Sequence, residues 1–563
     1  MIVYGELERT EHARDVKASV LRALSELENL APGKRHSALL AAFIRLAELV
    51  EGIADAEFNL RGYDDRSEDQ QLGAALLLQA ARLVDHSWRG RVVEAADLRP
   101  IMKQLQAISH EGVIRLRLAE GYAHYALYPE SYLEAARHSG LDSSTCVIGI
   151  RSIGVGLAAL VAAALGAGPA ISLRPVGHPF RREIRADPRL FASALKDPEM
   201  RFAIVDEGPG QSGSSFASVA AYLQQLGVSN DRITFFPSHD GSPGVEASDE
   251  VRAIWGGIER FPASDHDVIT SPNGLHSWLE PCVGSGEFYE LAGEAMDYRF
   301  ARRRFLVQSV TGKWVAKFAG LGAVGERKHR DAVALAQAGF GAPVAGLCNG
   351  FLVQRWLEGR PVRLTAENRG VFLERVASYL AFRATHLGPA GPGASLGALR
   401  EMAVHNTREA LGEEAAATLH ERLAHLPELE GKVRRIRTDN RLHLWEWLEV
   451  DGAFVKLDAV DHCEAHDLIG CQDIAWDVAG AMTEFRLNEK ETDELVNRIE
   501  SAGVSVNRRL LDGLVPCYLA FQLGLWSTAT PGSDSTRTIA DKYISLSNNY
   551  RYATFGLAEG CSA

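Results

Sequence analysis

Apolar side chains recur at intervals of three and four positions through the first hundred residues. This spacing gives one apolar stripe to each of three predicted helices, at Val16–Leu30, Ser37–Ile53 and Leu72–Val84. No set of reactive side chains accompanies the stripes. Residues 1–110 are therefore predicted to form a helical N-terminal region that acts as a cap or a dimerisation module.

The pattern changes near residue 111 to short apolar runs separated by helical stretches. The runs are Cys146–Ile150, Phe202–Val205 and Ile233–Phe236. Strands that alternate with helices are typical of a parallel sheet. Residues 111–245 are predicted to be an α/β domain, and residues 246–300, rich in Gly, Pro, Ser and Trp, a connector that packs on both neighbours.

A third pattern begins near residue 301. It predicts a β-hairpin, a helix and a strand, at Phe305–Ser309 with Lys313–Phe318, Glu326–Ala338 and Phe351–Trp356. Beyond residue 363 the periodicity is mostly helical, with a second hairpin predicted around Asp451-Gly452. The fold class is therefore predicted as α/β plus α+β, with residues 301–563 forming a bilobal domain.

Composition and charge narrow the possible partners. The formal net charge is −13, and the longest basic run is only Arg302-Arg303-Arg304, so nucleic acid is not expected as the main partner. The seven scattered cysteines include no CxxC pair, which favours reduced thiols over a disulfide framework or a zinc site. The N-terminus lacks a signal-peptide pattern, and the apolar stretch Val147–Leu173 contains an Arg, five Gly and a Pro. A cytoplasmic protein without a membrane span is expected, and its oligomeric state, a homo-oligomer included, is left open.

The strongest chemical signal is FAIVDEGPGQSGSSF, residues 202–216. A buried strand delivers two adjacent carboxylates, Asp206 and Glu207, and a turn rich in Gly and Ser then opens a helix. Free backbone N–H groups and hydroxyls at such a turn can surround a phosphate. The carboxylates can hold ribose hydroxyls or a Mg²⁺ ion bound to them.

This segment resembles the phosphoribosyl pyrophosphate (PRPP) motif of type I phosphoribosyltransferases. Glu207 stands where the second Asp is more common, and the loop is one residue longer than usual. GIRSIGVG (149–156) resembles the pyrophosphate loop of that family, and SLRPVGHPFRRE (172–183) resembles the mobile basic loop of the orotate phosphoribosyltransferase type. The resemblance covers residues 111–245.

The resemblance implies transfer of a ribose 5-phosphate between pyrophosphate and a nitrogenous base. The residues it assigns to catalysis are Asp206, Glu207, Arg174 and His178. Those it assigns to PRPP binding are Arg151, Ser152, Gly154, Arg181, Arg182, Gly210, Ser212, Gly213, Ser214 and Ser215. An ordinary glycine-rich turn and a solvated basic loop are the structural alternatives.

A second set of candidate residues lies beyond residue 301. The strand WVAKF carries Lys317, and a strand Lys can pair with the phosphates of ATP. Two acids in the next predicted helix, Glu326 and Asp331, are candidates to brace that Lys. FLVQRWLEGRPV (351–362), RTDNRLHLWEW (437–447), AFVKLDAVD (453–461) and GCQDIAWDVAGA (470–481) follow in order.

In this order, the segments resemble the hinge, catalytic loop, metal-binding strand end and following helix of aminoglycoside- and choline-type phosphotransferases, which are protein-kinase-like. The resemblance implies ATP binding by Lys317, Glu326, Gln354 and Trp356. It implies that Asp439 takes the proton of the acceptor and that Asp458, joined by Asp461, binds Mg²⁺.

Two departures from that family pattern affect the expected activity. Arg437 replaces the family's His, and Leu444 replaces its metal-binding Asn, for which His443 or Glu446 is a candidate substitute. Two hypotheses follow. The chain is a bifunctional transferase acting on PRPP or a nucleotide and on ATP, or it is a regulatory protein whose kinase-like domain is a non-catalytic nucleotide sensor.

Overall fold

The computed structural model describes residues 8–291, 303–463, 468–527 and 538–547. Helices dominate the first part, as the periodicity predicted. Its elements are β1 (Glu8–His12), α1 (Ala13–Glu26), α2 (Pro32–Arg61), α3 (Glu68–Trp88), α4 (Ala95–Leu105), β2 (Val113–Arg117), α5 (Glu120–His124) and α6 (Pro129–His138). The three predicted helices are confirmed, and β1 pairs with β2 in an antiparallel ribbon across the predicted boundary at residue 110.

Local sequence signals mark the ends of the long helices. α2 begins with Pro32, whose missing N–H is not needed in the first turn, and ends at Gly62, which adopts φ 82°. The hydroxyl of Ser67 accepts from the backbone N–H of Gln70 and caps α3.

The middle part contains a five-stranded parallel sheet. Its elements are β3 (Thr145–Ile150), α7 (Gly154–Leu165), β4 (Ile171–Leu173), β5 (Pro175–His178), β6 (Arg181–Ile184), β7 (Arg201–Val205), α8 (Ser214–Gln225), β8 (Ile233–Phe236), α9 (Asp249–Gly256) and β9 (Glu259–Arg260). The strand order is β4-β3-β7-β8-β9, and every neighbouring pair is parallel. The prediction of a parallel sheet is confirmed, and the first three predicted strands are β3, β7 and β8.

The segment between the parallel sheet and the second half contributes elements to both. α9 and β9 complete the parallel sheet, and α10 (Asp265–Thr270) and α11 (Leu275–Val283) follow them. β10 (Gly286–Glu290) is the edge strand of the next sheet. The described residues of the predicted connector thus supply an edge strand to each of the two sheets, β9 to one and β10 to the other.

An antiparallel sheet opens the second half. Its other strands, with one helix between them, are β11 (Arg304–Ser309), β12 (Gly312–Phe318), α12 (Gly322–Gln337), β13 (Val344–Cys348) and β14 (Phe351–Arg355). The order is β10-β11-β12-β14-β13. The predicted hairpin, helix and strand are confirmed as β11–β12, α12 and β14.

The last part is mainly helical. Its elements are β15 (Arg360–Pro361), α13 (Arg369–His386), α14 (Leu396–Leu411), α15 (Glu413–Arg422), β16 (Trp447–Val450), β17 (Ala453–Lys456), α16 (Ile474–Glu484), α17 (Glu489–Ser501) and α18 (Arg508–Ser527). The hairpin predicted around Asp451-Gly452 is β16–β17. Among the helices of the described ranges, none has the length and apolar character that a membrane crossing needs.

One apolar core crosses the predicted domain boundaries. It joins side chains of the N-terminal helices, of α7 and of the antiparallel sheet, such as Leu46, Val161 and Val307. Tyr128 lies at this junction, where its ring contacts Trp278 and Phe351. Its hydroxyl donates to the carbonyl of Asn349 at 2.9 Å.

The cysteines differ from the expectation of reduced thiols. Cys282 of α11 and Cys348 of β13 form a disulfide, which the scattered spacing along the sequence did not reveal. Cys146 and Cys517 are free thiols, and the Sγ atoms of Cys463 and Cys471 lie 3.8 Å apart.

Replacing Tyr128 tests this junction. Tyr128→Ala is expected to lower the free energy of unfolding by about 3–5 kcal/mol, because it removes a fully buried aromatic ring and a satisfied hydrogen bond. Urea-induced unfolding measures the change. The exposed Tyr63→Ala is the control and should change it by less than about 0.5 kcal/mol. Equal effects of the two substitutions would contradict the shared core.

Candidate functional site

A cleft of about 570 Å³ lies between the antiparallel sheet and the helical part. Its walls bring together residues from β12, β14 and the segment after β17. Five residues predicted from the kinase-like pattern line it, namely Lys317, Gln354, Trp356, Asp458 and Asp461.

Lys317 joins the two sides of the cleft. β12 carries it on the sheet, and its Nζ lies 2.7 Å from Asp458 Oδ1 and 2.7 Å from Asp461 Oδ2. Burial alone would lower the pKa of Lys317, but the two carboxylates outweigh burial and raise that pKa. Burial likewise favours protonated Asp458 and Asp461, yet the charge of Lys317 lowers the pKa of both. All three groups are therefore charged at neutral pH.

The brace of Lys317 differs from the prediction. Glu326 is exposed on α12, and Asp331 forms a bidentate ion pair with Arg437 at 2.7 and 2.8 Å. The inner face of α12 instead presents Lys328, whose Nζ lies 3.2 Å from Asp461 Oδ1. Glu326 thus does not fit the predicted ATP-binding role. Lys328 was missed, although it shares the apolar face of α12 with Val324 and Leu335.

Asp439 does not line the cleft. Its side chain is fully buried, and its carboxylate accepts from the hydroxyl of Tyr379 and from the backbone N–H of Arg441. Asp477 fixes the backbone of the loop that contains Asp439. Its carboxylate accepts from the backbone N–H groups of Asp439 and Asn440 at 2.8 and 3.0 Å. In this placement Asp439 cannot reach an acceptor hydroxyl, so its predicted catalytic role does not fit.

Glu446 is the carboxylate that this loop presents to the cleft. Its oxygens lie 2.6 Å from Lys456 Nζ and 2.9 Å from Arg441 Nε. Burial raises the pKa of Glu446 to about 7, against the opposing effect of those two cations. His443, the other candidate substitute for the missing Asn, is fully buried against Glu484 at 3.0 Å. Of the two, only Glu446 faces the cleft.

The cleft fits a Mg²⁺ ion that is held partly by a nucleotide. Within the described ranges, no group of three or more His, Cys, Asp or Glu side chains is arranged to hold a metal. Asp458 and Asp461 nevertheless converge on one point, at present the ammonium of Lys317. Mg²⁺ commonly takes one or two carboxylates and completes its shell with phosphate oxygens and water.

The acid pair of the first half follows β7, at the carboxyl edge of the parallel sheet. Burial raises the pKa of Asp206 well above its usual value. Glu207 accepts from the backbone N–H of Gly121 at 3.2 Å. Gly154, at the start of α7, packs against the end of β7, since a Cβ there would lie 2.6 Å from the carbonyl oxygen of Val205 and 3.1 Å from Asp206 Oδ1. Only glycine allows that approach, which brings Gly154 close to Asp206, and Ser152 lies in the turn between β3 and α7.

The serine-rich loop is closed by the β5–β6 hairpin. Gly210 and Gly213 adopt φ 61° and 62°, which shape the turn into α8. The hydroxyls of Ser212 and Ser214 both donate to the carbonyl of Pro179 at the hairpin tip, at 3.2 and 2.8 Å. Ser215 follows in the first turn of α8. A phosphate at this loop must therefore displace Pro179.

The basic residues predicted around the first site divide into two groups. His178, Arg181 and Arg182 belong to the β5–β6 hairpin, where His178 and Arg181 are exposed. Arg151 and Arg174 are buried among acids: Arg151 Nη2 lies 2.6 Å from Asp64. The predicted roles of Arg151 in pyrophosphate binding and of Arg174 in catalysis do not fit this placement.

The guanidinium group of Arg174 is paired with two acids. Its Nε donates to Asp55 Oδ1 at 2.9 Å and its Nη2 to Glu51 Oε1 at 2.9 Å. Both acids lie on α2, so the pair fastens the N-terminal helices to the parallel sheet. These ion pairs could not be predicted from the sequence, because the residues are more than a hundred positions apart.

Comparison with known proteins adds the following. No protein-family model matches the chain, and no curated protein matches it. A choline kinase from Streptococcus pneumoniae is similar in structure, with TM-score 0.34 and 15% identity over 48% of this chain and 96% of the kinase. An ethanolamine kinase from Plasmodium vivax gives 0.33 and 11% over 46% and 82%. A spectinomycin phosphotransferase, solved with ADP and spectinomycin, gives 0.34 and 10% over 48% and 93%. At such low values the matches assign no activity to this chain.

Substituting Arg174 separates a structural from a catalytic role. Arg174→Met is expected to lower the free energy of unfolding by about 3–5 kcal/mol at pH 7, because it removes the closest cation from the buried carboxylates of Asp55 and Glu51. Burial alone would raise the pKa of Asp55, but the neighbouring arginines, Arg174 first among them, together have the larger, opposite effect. The pKa of Asp55 is therefore lower in the folded state than in the unfolded state. The pair therefore stabilises the fold above about pH 4, and the difference between wild type and variant should shrink below that pH.

Denaturant unfolding at pH 7 and pH 3.5 checks this expectation. Arg189→Met, which removes an exposed arginine paired with Asp187, is the control and should change stability little. A fully stable Arg174→Met protein would contradict the buried network.

Proposed function

We propose that the cleft around Lys317 binds a nucleoside triphosphate, with ATP as the expected donor, and transfers its terminal phosphoryl group to a small-molecule alcohol. The observation that carries this proposal is the ion-paired Lys317 between Asp458 and Asp461 in the wall of a cleft. In protein kinases a strand lysine contacts the nucleotide phosphates and an aspartate holds Mg²⁺, and Lys317 with Asp458 and Asp461 are our candidates for these roles.

The side chains divide the work as follows. The triphosphate competes for Lys317, and its release leaves Asp458 and Asp461 available to hold Mg²⁺. That ion supplies charge neutralisation at the phosphates when bound. Gln354 and Trp356 line the cleft at the end of β14, and in this proposal they contact the base of the nucleotide.

The transfer itself needs an acceptor for one proton. The acceptor oxygen forms a bond to the terminal phosphorus, the bond from that phosphorus to the bridging oxygen breaks, and the nucleoside diphosphate leaves. The hydroxyl proton passes to a carboxylate at the acceptor. Glu446 is our candidate for that carboxylate, since it faces the cleft and Asp439 does not.

A nucleotide sensor is the second candidate function. The burial of Asp439 and the presence of Leu444 in place of a metal-binding Asn favour it. In that case the cleft binds a nucleotide but does not transfer its phosphoryl group.

For the first half, the proposal is a site for a phosphorylated ribose such as PRPP, which would make the chain a bifunctional transferase. Support comes from the acid pair, since ligands of open α/β sheets bind outside the carboxyl ends of the strands. The closed contact of Pro179 with Ser212 and Ser214 implies that the β5–β6 hairpin moves when the ligand enters.

Variants of the cleft distinguish a transferase from a sensor. Asp458→Asn is expected to weaken Mg²⁺-dependent nucleotide binding, and Glu446→Gln to keep that binding while reducing turnover about 100-fold or more. The measurements are ATP binding by calorimetry and ADP release with a panel of alcohols. The exposed Glu428→Gln is the control. Binding without turnover in the wild type would favour the sensor, and full turnover in Glu446→Gln would contradict the role of Glu446.

A ligand-induced shift in thermal unfolding tests the first half. PRPP at a hundred times its dissociation constant should stabilise the wild type by about 2.7 kcal/mol. The Asp206→Asn/Glu207→Gln double variant should lose this shift but keep the shift caused by ATP. An unchanged PRPP shift in the double variant would contradict the assignment of the acid pair.

A further inference from the structure

Three side chains from three helices form a chain of hydrogen bonds outside both candidate sites. Nδ1 of His36, in the second turn of α2, lies 2.9 Å from Oγ of Ser87, the next-to-last residue of α3. Nε2 of the same ring lies 2.8 Å from Oε1 of Glu130, in the first turn of α6. None of the three lines the Lys317 cleft or belongs to the serine-rich loop.

The sequence did not reveal this set, because its members are distant along the chain. Ser87 is 51 positions from His36, and Glu130 is 94 positions from it. Residues 1–110 supply only the histidine and the serine, and the acid comes from α6, beyond that region. Only the packing of α2, α3 and α6 brings the three side chains together.

Glu130 orients the imidazole of His36. The Glu130 side chain is fully buried, and its second oxygen, Oε2, has no hydrogen-bond partner among the residues that the structure describes. An ionised carboxylate only accepts hydrogen bonds, so it takes the hydrogen of Nε2. Nδ1 is then the unprotonated ring nitrogen of His36, and it accepts the hydrogen bond from the hydroxyl of Ser87.

The acid is enclosed, whereas the histidine and the serine are partly open to solvent. The side chain of His36 is 20% exposed and Ser87 is partly exposed, against 0% for the side chain of Glu130. The buried indole of Trp88 lies beside the imidazole, with 5.8 Å between the ring centroids, and its Nε1 donates to Glu134 of α6 at 2.8 Å. A hydrogen bond and a ring contact therefore hold His36 in place beside a serine that solvent can reach.

We propose that Ser87 is a nucleophile that attacks carboxylic esters, with His36 as its general base and Glu130 as the residue that positions His36. A serine within hydrogen-bond reach of a base, whose other side is held by a third group, is the arrangement that activates a hydroxyl for covalent catalysis. Serines activated by an imidazole and a carboxylate attack acyl carbonyl carbons on several unrelated folds. The inference does not depend on the proposed function, because it uses no residue of the cleft or of the acid pair.

The reaction balances in two steps. Oγ of Ser87 bonds to the carbonyl carbon of the ester while its proton passes to Nδ1 of His36. The bond from that carbon to the ester oxygen then breaks, and the alcohol leaves with the proton that His36 returns. In the second step, water gives a proton to Nδ1 and attacks the acyl group, the bond to Oγ breaks, Ser87 recovers the proton, and a carboxylic acid leaves.

Covalent labelling with a fluorophosphonate probe, located by mass spectrometry, tests the nucleophile in the full chain. The wild type should carry the adduct on Ser87, and His36→Gln should label at least about 100-fold more slowly, because it lacks the base. Ser25→Ala is the matched control and should label as the wild type does. Ser25 is the next-to-last residue of α1, and its hydroxyl donates to the backbone carbonyl of Arg22 at 2.8 Å. Absence of an adduct on Ser87 in the wild type, or an unchanged rate in His36→Gln, would overturn the proposal.

Turnover of p-nitrophenyl acetate tests the reaction and the role of Glu130. Ser87→Ala should abolish saturable turnover. Glu130→Gln should lower kcat at least about tenfold with KM unchanged, because Glu130 contacts His36 and not the ester. Asp458→Asn, which impairs the proposed nucleotide site, should keep the full rate, so the two proposals fail independently. Saturable turnover in Ser87→Ala, or a kcat of Glu130→Gln equal to that of the wild type, contradicts the assigned roles.

Discussion

The ion pair between Lys317 and the two aspartates after β17 determines how the second half of the chain is arranged. It is a direct polar contact between the antiparallel sheet and the segment after β17, and it keeps the buried Asp461 carboxylate, the partly exposed Asp458 carboxylate and a buried ammonium charged. Buried ions are costly unless they are paired. A nucleotide and Mg²⁺ would compete for these same three charges, which links the stability of this half to its proposed function.

The two halves of the molecule are connected by contacts of segment 119–128. The backbone N–H of Gly121 donates to Glu207 of the first acid pair, and the carbonyl of Tyr122 accepts from Leu321, just before α12. Tyr128 completes the junction with the antiparallel sheet. The acid pair and the cleft are therefore parts of one packed body, and the N-terminal helices share its core. Such packing explains why residues 1–110 show apolar stripes without reactive groups of their own.

Much of the fold could be predicted from the sequence, because periodicity reports local geometry. The β11–β12 and β16–β17 hairpins and the strand β7, which ends just before Asp206, were predicted from patterns of a few residues. The side-chain partners were harder, since they depend on contacts distant in sequence. Arg174 lies in a segment whose basic residues resemble those of a binding loop. Only the fold shows that it pairs with Asp55 and Glu51 on α2. Asp439 lies in the segment that resembles a catalytic loop, yet Tyr379 and Lys456 enclose its side chain. Lys328 replaced the expected acid because helix facing, not residue type, decides which side chain reaches Asp461.

The most direct test of this account is calorimetric titration of the full chain with ATP, with and without Mg²⁺, at constant ionic strength. If Lys317 gives way to the phosphates while Asp458 and Asp461 take the ion, ATP binds at one site and Mg²⁺ tightens that binding by about tenfold or more. Absence of saturable ATP binding, or an affinity that is the same with and without Mg²⁺, would contradict it.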